Sequence, residues 1–146
     1  MMRAGLALLL LTPLAMAADG SWSASSFGGT LTRGQQVLRS KPVQSPSPLP
    51  AGAVATRVNW KIKTHGLTPV GFRIRLCSAA RCLTLPGFAG ELPLPAGMPA
   101  AGPFRFEYYS VAGGRLDTPL TVLRNQVTVS YYDKDLQQRG AALTDK

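Results

Sequence analysis

Apolar side chains recur at every second position in segment after segment of this chain. That period places alternate residues on one buried face of a β-strand. The clearest case is Ala53 to Lys63, where Val54, Thr56, Val58, Trp60 and Ile62 share one face and Ala55, Arg57, Asn59, Lys61 and Lys63 the other. In Val70 to Pro86, Phe72, Ile74 and Leu76 alternate with Arg73, Arg75 and Cys77, four residues separate Cys77 from Cys82, and Leu83 and Leu85 resume the pattern. This predicts a hairpin around which the remaining strands are organised, its cysteines flanking a turn short enough to bring their Cβ atoms to bonding distance. Thr64 to Pro69, with His65-Gly66, reads as a turn, so Ala53 to Leu85 is expected to form a three-stranded antiparallel meander. Phe104, Phe106 and Tyr108 alternate with Arg105, Glu107 and Tyr109 in a further strand closed by Gly113-Gly114.

Other segments are punctuated. Trp22 to Arg33 reads as a short strand, a break at Gly28-Gly29 and a second extended piece over Thr30 to Thr32. Ser40 to Gly52 carries Pro42, Pro46, Pro48 and Pro50, which removes too many amide donors for a helix or an interior strand and leaves an extended loop or covering edge. Pro86 to Pro103, rich in proline and glycine, reads as a second long loop. In Pro119 to Tyr132 the apolar phase changes: Leu120 and Val122 are even, Val127, Val129 and Tyr131 odd. One extra residue near Leu123 to Gln126, as a bulge or tight turn, accounts for the slip. From Asp133 the pattern dissolves into a tail with room for a helical turn or two. About seven short strands with this punctuation predict an all-β fold, an antiparallel β-sandwich with a small β-barrel as the alternative.

The start of the chain is of another kind. Met1, Met2 and Arg3 precede the apolar run Ala4 to Leu14, and Ala15-Met16-Ala17 supplies the small residues that signal peptidase requires. Residues 1–17 are therefore expected to be a signal peptide cleaved after Ala17, residues 18–132 a single sandwich domain, and 133–146 a C-terminal tail. The run is too short to cross a hydrocarbon core of about 30 Å, so stable membrane insertion is not expected. Outside the cytoplasm two cysteines default to a disulfide. With His65 as the single histidine, neither a metal nor any other cofactor is expected.

Charge is unevenly placed. Nine basic residues, Arg33, Arg39, Lys41, Arg57, Lys61, Lys63, Arg73, Arg75 and Arg81, lie between Asp19 and Glu91 with no acidic one among them. Strand alternation turns Arg57, Lys61, Arg73 and Arg75 outward, and Tyr109 and Tyr132 are the outward members of their tyrosine pairs. Together with Arg81 these form the candidate interaction surface. An exported chain meets little nucleic acid, so the expected partners are anionic lipid, cell-wall polymer or an acidic protein surface. The same charges also serve as the solvated outer faces of strands.

Catalytic constellations are lacking in the sequence. His65 sits beside Gly66 with no nucleophile-elbow pattern around any serine. Asp133 and Asp135 open like a calcium loop, but Leu136 stands where an oxygen ligand belongs. The glycine pairs match no phosphate-cradling spacing. An enzyme is not expected. Two binding roles fit these residues alone: an accessory that touches another protein, and a secreted carbohydrate- or cell-wall-binding module. A pilin-like subunit is less well supported, because the N-terminal segment shows no alternating donor pattern.

Taken in combination, VNWKIKTHGLTPVGFRIRLCSAARCLTLPG and GGRLDTPLTVLRNQVTVSYY resemble the FlhE family of periplasmic flagellar proteins. The resemblance spans the signal peptide, Trp22, the Trp60 strand, the Arg75 to Cys82 hairpin, Gly113 to Leu116 and Asn125 to Val127. It does not extend to the tail after Tyr132. It implies a non-enzymatic periplasmic accessory of flagellar assembly at the export apparatus, rod or hook, chaperone-like or regulatory, which limits proton leakage and premature assembly in the periplasm.

Overall fold

The computed structural model describes residues 19–136; the expected signal peptide and most of the expected tail lie outside them. Among the described residues nine strands form in chain order: β1 (Asp19–Ser26), β2 (Gly29–Arg33), β3 (Leu38–Arg39), β4 (Ala53–His65), β5 (Phe72–Cys77), β6 (Cys82–Leu85), β7 (Ala89–Pro93), β8 (Arg105–Ser110) and β9 (Arg115–Asp133). Sheet one has the order β1-β9-β4-β7, with β2 also paired to β9; sheet two has the order β3-β8-β5-β6. Every pairing is antiparallel. The sheets stack as a sandwich and do not close into a barrel.

The spine is β9, not the cysteine hairpin. One side of β9 pairs with β2 and then β1, and the other with β4 from Thr121 to Asp133. The β5–β6 hairpin, expected from the sequence to organise the other strands, lies at one edge of sheet two. The expected meander is also corrected, because β4 and β5 belong to different sheets. A link from Gly66 to Gly71 carries the chain across the end of the sandwich, with φ of 109° and 68° at those glycines. A Cβ on Gly66 would fall 2.5 Å from the Pro119 carbonyl oxygen, so this crossing depends on glycine in both conformation and space.

The phase slip is a bulge. Lys63 pairs with Arg124 and Thr64 with Val122, leaving Leu123 as the extra residue, 42% exposed. Beyond it the inward positions are Asn125, Val127 and Val129, all fully buried. A second register shift lies between Ala55 and Arg57. There Thr56, expected on the apolar face, is exposed and donates to Ser130 O at 3.1 Å, while Ala55 packs against the core.

The proline-rich segment 86–103 is not all loop: β7 lies within it and pairs with β4. Its pattern is hidden because Gly90 lies against the Trp60 ring, where a Cβ would come within 2.9 Å of the ring atoms. Both indole N–H groups bind the same segment, Trp60 Nε1 donating to Gly87 O and Trp22 Nε1 to Ala100 O, each at 2.8 Å. Segment 40–52 behaves as a cover, with Val43 buried and bridged to Phe104.

The core lies between the sheets. Val58, Trp60, Val122, Val127 and Val129 of sheet one meet Ile74, Leu76, Leu85, Phe106 and Tyr108 of sheet two, joined by Phe104 next to β8. Each such side chain contributes roughly 1.5–3 kcal/mol on burial. Trp22 stacks on Phe104 and Phe72 on Tyr108, with ring centroids 6.2 and 6.0 Å apart. At the far end, Lys134–Leu136 form one helical turn after β9, capped by Asp133 Oδ1.

Candidate interaction surface

In an antiparallel pair, residues directly opposite share a face. Ile74 faces Tyr108 and Leu76 faces Phe106 on the buried side of sheet two. The intervening pairs, Arg73 with Tyr109, Arg75 with Glu107 and Cys77 with Arg105, therefore face outward, joined by Arg39 opposite Glu107. The Glu107 side chain, 11% exposed, sits at the centre of this face. It accepts from Arg39 Nε at 3.2 Å and from Arg75 Nη2 at 2.6 Å. Two charge-assisted bonds offset the loss of its hydration. The Arg75 guanidinium also lies 4.9 Å from the centre of the Tyr109 ring, within cation–π range.

Arg73 and Arg105 are exposed and have no carboxylate partner among the described residues. Arg39 and Arg75 thus engage the one carboxylate, Arg73 and Arg105 add two more guanidinium groups to the same side, and the face is cationic. Beside it, a cleft of about 410 Å³ is lined by Arg39, Gln44, Arg105, Glu107 and Cys77. Arg81, in the β5–β6 turn, is exposed and donates to Ala96 O at 2.8 Å.

The residues expected to form one surface divide between opposite faces. Arg73, Arg75 and Tyr109 lie on sheet two, with Arg81 at its edge. Arg57, Lys61 and Tyr132 lie on the outer side of sheet one, where Arg57 is paired with Glu91, and Tyr132 lies opposite Asp19. Alternation identifies an outward residue but not the sheet it belongs to. Arg39, Arg105 and Glu107 were missed as members of the surface, although Arg105 and Glu107 are marked in the sequence by alternation with Phe104, Phe106 and Tyr108.

Cys77 and Cys82 are joined by a disulfide, S–S 2.03 Å. Their sulfurs and a Glu107 carboxylate oxygen lie within 4.8 Å of one another. A disulfide offers no thiolate, however, and the carboxylate is held by two arginines, so the cluster is not a donor set for a metal. His65 is exposed at the end of β4.

Comparison with known proteins agrees with this architecture. The family model described as "Flagellar protein FlhE" matches residues 28–132. Flagellar protein FlhE of Escherichia coli K12 is 43% identical over 131 residues, covering 89% of this chain and 99% of that protein. The Salmonella typhimurium LT2 protein of the same name is 40% identical with the same coverage. The Yersinia enterocolitica protein is 34% identical over 128 residues, 87% of this chain and 91% of its own length. A crystal structure of FlhE superposes with a TM-score of 0.72 at 38% identity, covering 79% of this chain and 98% of that one.

Proposed function

Because this chain belongs to the FlhE family of flagellar proteins, we propose that it is a non-enzymatic accessory of flagellar assembly that acts in the periplasm by binding a flagellar component. The signal sequence, with cleavage after Ala17, supports export. In this reading the partner belongs to the export apparatus, rod or hook. Holding it limits proton leakage and keeps flagellar parts from assembling prematurely, a chaperone-like role.

The observation that carries the reading is the outer face of sheet two. Arg73 and Arg105 present exposed guanidinium groups on a rigid sheet, beside the Arg39–Glu107–Arg75 cluster. Such a face selects an acidic partner surface and speeds encounter with it. The test is affinity recovery from periplasm with Arg73→Glu and Arg105→Glu combined. Arg75 is left intact, because a carboxylate there would stand against Glu107. Flagellar rod, hook or export proteins are recovered with the unaltered protein and lost with the double variant. Equal recovery by both overturns the cationic face as the binding surface.

A further inference from the structure

β9 begins before its neighbour does. β4 ends at His65, opposite Thr121, so Arg115–Leu120 have no strand beside them on that side among the described residues. Between this overhang and the β4–β5 link runs a groove of about 350 Å³ lined by Leu67, Val70, Ala112, Leu116 and Asp117.

The groove mixes apolar side chains with Thr68, Arg115, Asp117 and Thr118. Leu67 and Val70, which line it, are 73% and 82% exposed, and Val111, beside the link but outside the lining, is 51% exposed; these are half of the six large hydrophobic side chains exposed among the described residues. The bond from Val111 N to Gly71 O, 3.0 Å, holds Val111 against the link that bears the other two. Single exposed apolar residues are ordinary, but a cluster marks a contact site. Arg115 lines the groove together with Asp117, and across the β2–β9 pair it lies opposite Arg33, both arginines exposed and neither in an ion pair among the described residues. Like charges so placed repel, and an incoming carboxylate relieves the repulsion.

Neither end of the described residues lies at the groove. Asp19 pairs with Tyr132, so β1 starts and β9 finishes at the opposite end of the sandwich.

We infer that this groove takes an extended segment of a partner protein. The segment adds as a strand along Arg115–Thr118, sets apolar side chains on Leu67 and Val70, and places an acidic residue at the Arg33–Arg115 rim. Backbone pairing supplies affinity and alternate side chains supply selectivity. This deepens the proposed function and rests on its premise that the protein acts by binding.

The probe is a pool of short fluorescent peptides of alternating valine and threonine ending in aspartate, titrated by polarisation against residues 18–146. Binding is expected to fall at least about tenfold with Val70→Asp, severalfold with Arg115→Gln, and to vanish when alternate peptide amides are N-methylated. Val70 is too exposed for its replacement to disturb folding, which an unchanged melting temperature verifies. No binding by any member of the pool, or binding indifferent to Val70→Asp or to N-methylation, overturns the inference. A dimer in sedimentation equilibrium that Val70→Asp dissociates also overturns it, assigning the groove to a second copy. Recovery of flagellar partners by Val70→Asp protein refutes the groove as their docking site while leaving the proposed function standing.

Discussion

The Tyr108 hydroxyl donates a hydrogen bond to Asn125 Oδ1 in the interior of the sandwich, tying β8 of sheet two to β9 of sheet one. Asn125 is fully buried, and its Nδ2 donates to Ser26 O at 3.1 Å and Ser26 Oγ at 3.2 Å. Ser26 Oγ in turn donates to Lys41 O at 2.8 Å. The bulge at Leu123 is what turns Asn125 inward, so an irregularity in one strand connects both sheets and the covering segment. Tyr108→Phe leaves the Asn125 oxygen buried without that partner, and denaturant unfolding should show a loss of about 1–3 kcal/mol.

The same phenol makes stability depend on pH. Burial holds Tyr108 protonated well above its ordinary pKa of 10.0. The folded protein therefore keeps a proton that the unfolded chain releases above pH 10 or so. This contribution is complete below that pH and is lost as pH rises toward the folded-state pKa, at up to about 1.4 kcal/mol per pH unit. Tyr108→Phe lacks the slope. The stability gap between the two proteins should narrow when unfolding is repeated at increasing alkaline pH.

Glu107 organises the arginines of sheet two. Glu107→Gln removes the charge that Arg39 and Arg75 share. Because those arginine side chains are 59% and 34% exposed, solvent screens much of the loss, and a decrease of about 1–2 kcal/mol is expected in thermal or denaturant unfolding. The fold should persist with its disulfide intact.

The Cys77–Cys82 bridge closes a short loop, with a sequence separation of 5. Cys77→Ser with Cys82→Ser should cost about 2 kcal/mol. Far-ultraviolet circular dichroism should remain that of a β-protein, since the core strands pack without the sulfurs.

Much of this architecture was legible in single segments. The alternation of Phe72, Ile74 and Leu76 and of Phe104, Phe106 and Tyr108 marked β5 and β8. The cysteine spacing marked the hairpin neck, and the phase change marked the bulge. What alternation does not carry is which strand lies next to which. The link from Gly66 to Gly71 looks like a turn yet crosses between sheets, and β7 is masked by Gly90, whose missing side chain makes room for Trp60. The candidate surface suffered most, because Arg57 and Arg73 are equally outward in sequence but project from opposite sides of the sandwich. Arg33 and Arg115 become neighbours only through the pairing of β2 with β9.

The most direct test of the central claim is calorimetric titration of residues 18–146 with purified rod, hook and export-apparatus proteins, one at a time, at low and high salt. Tight binding to at least one of them is predicted, weakened severalfold by salt and about tenfold or more by Arg73→Glu with Arg105→Glu. Binding to none of them, or binding unmoved by both salt and charge reversal, would contradict it.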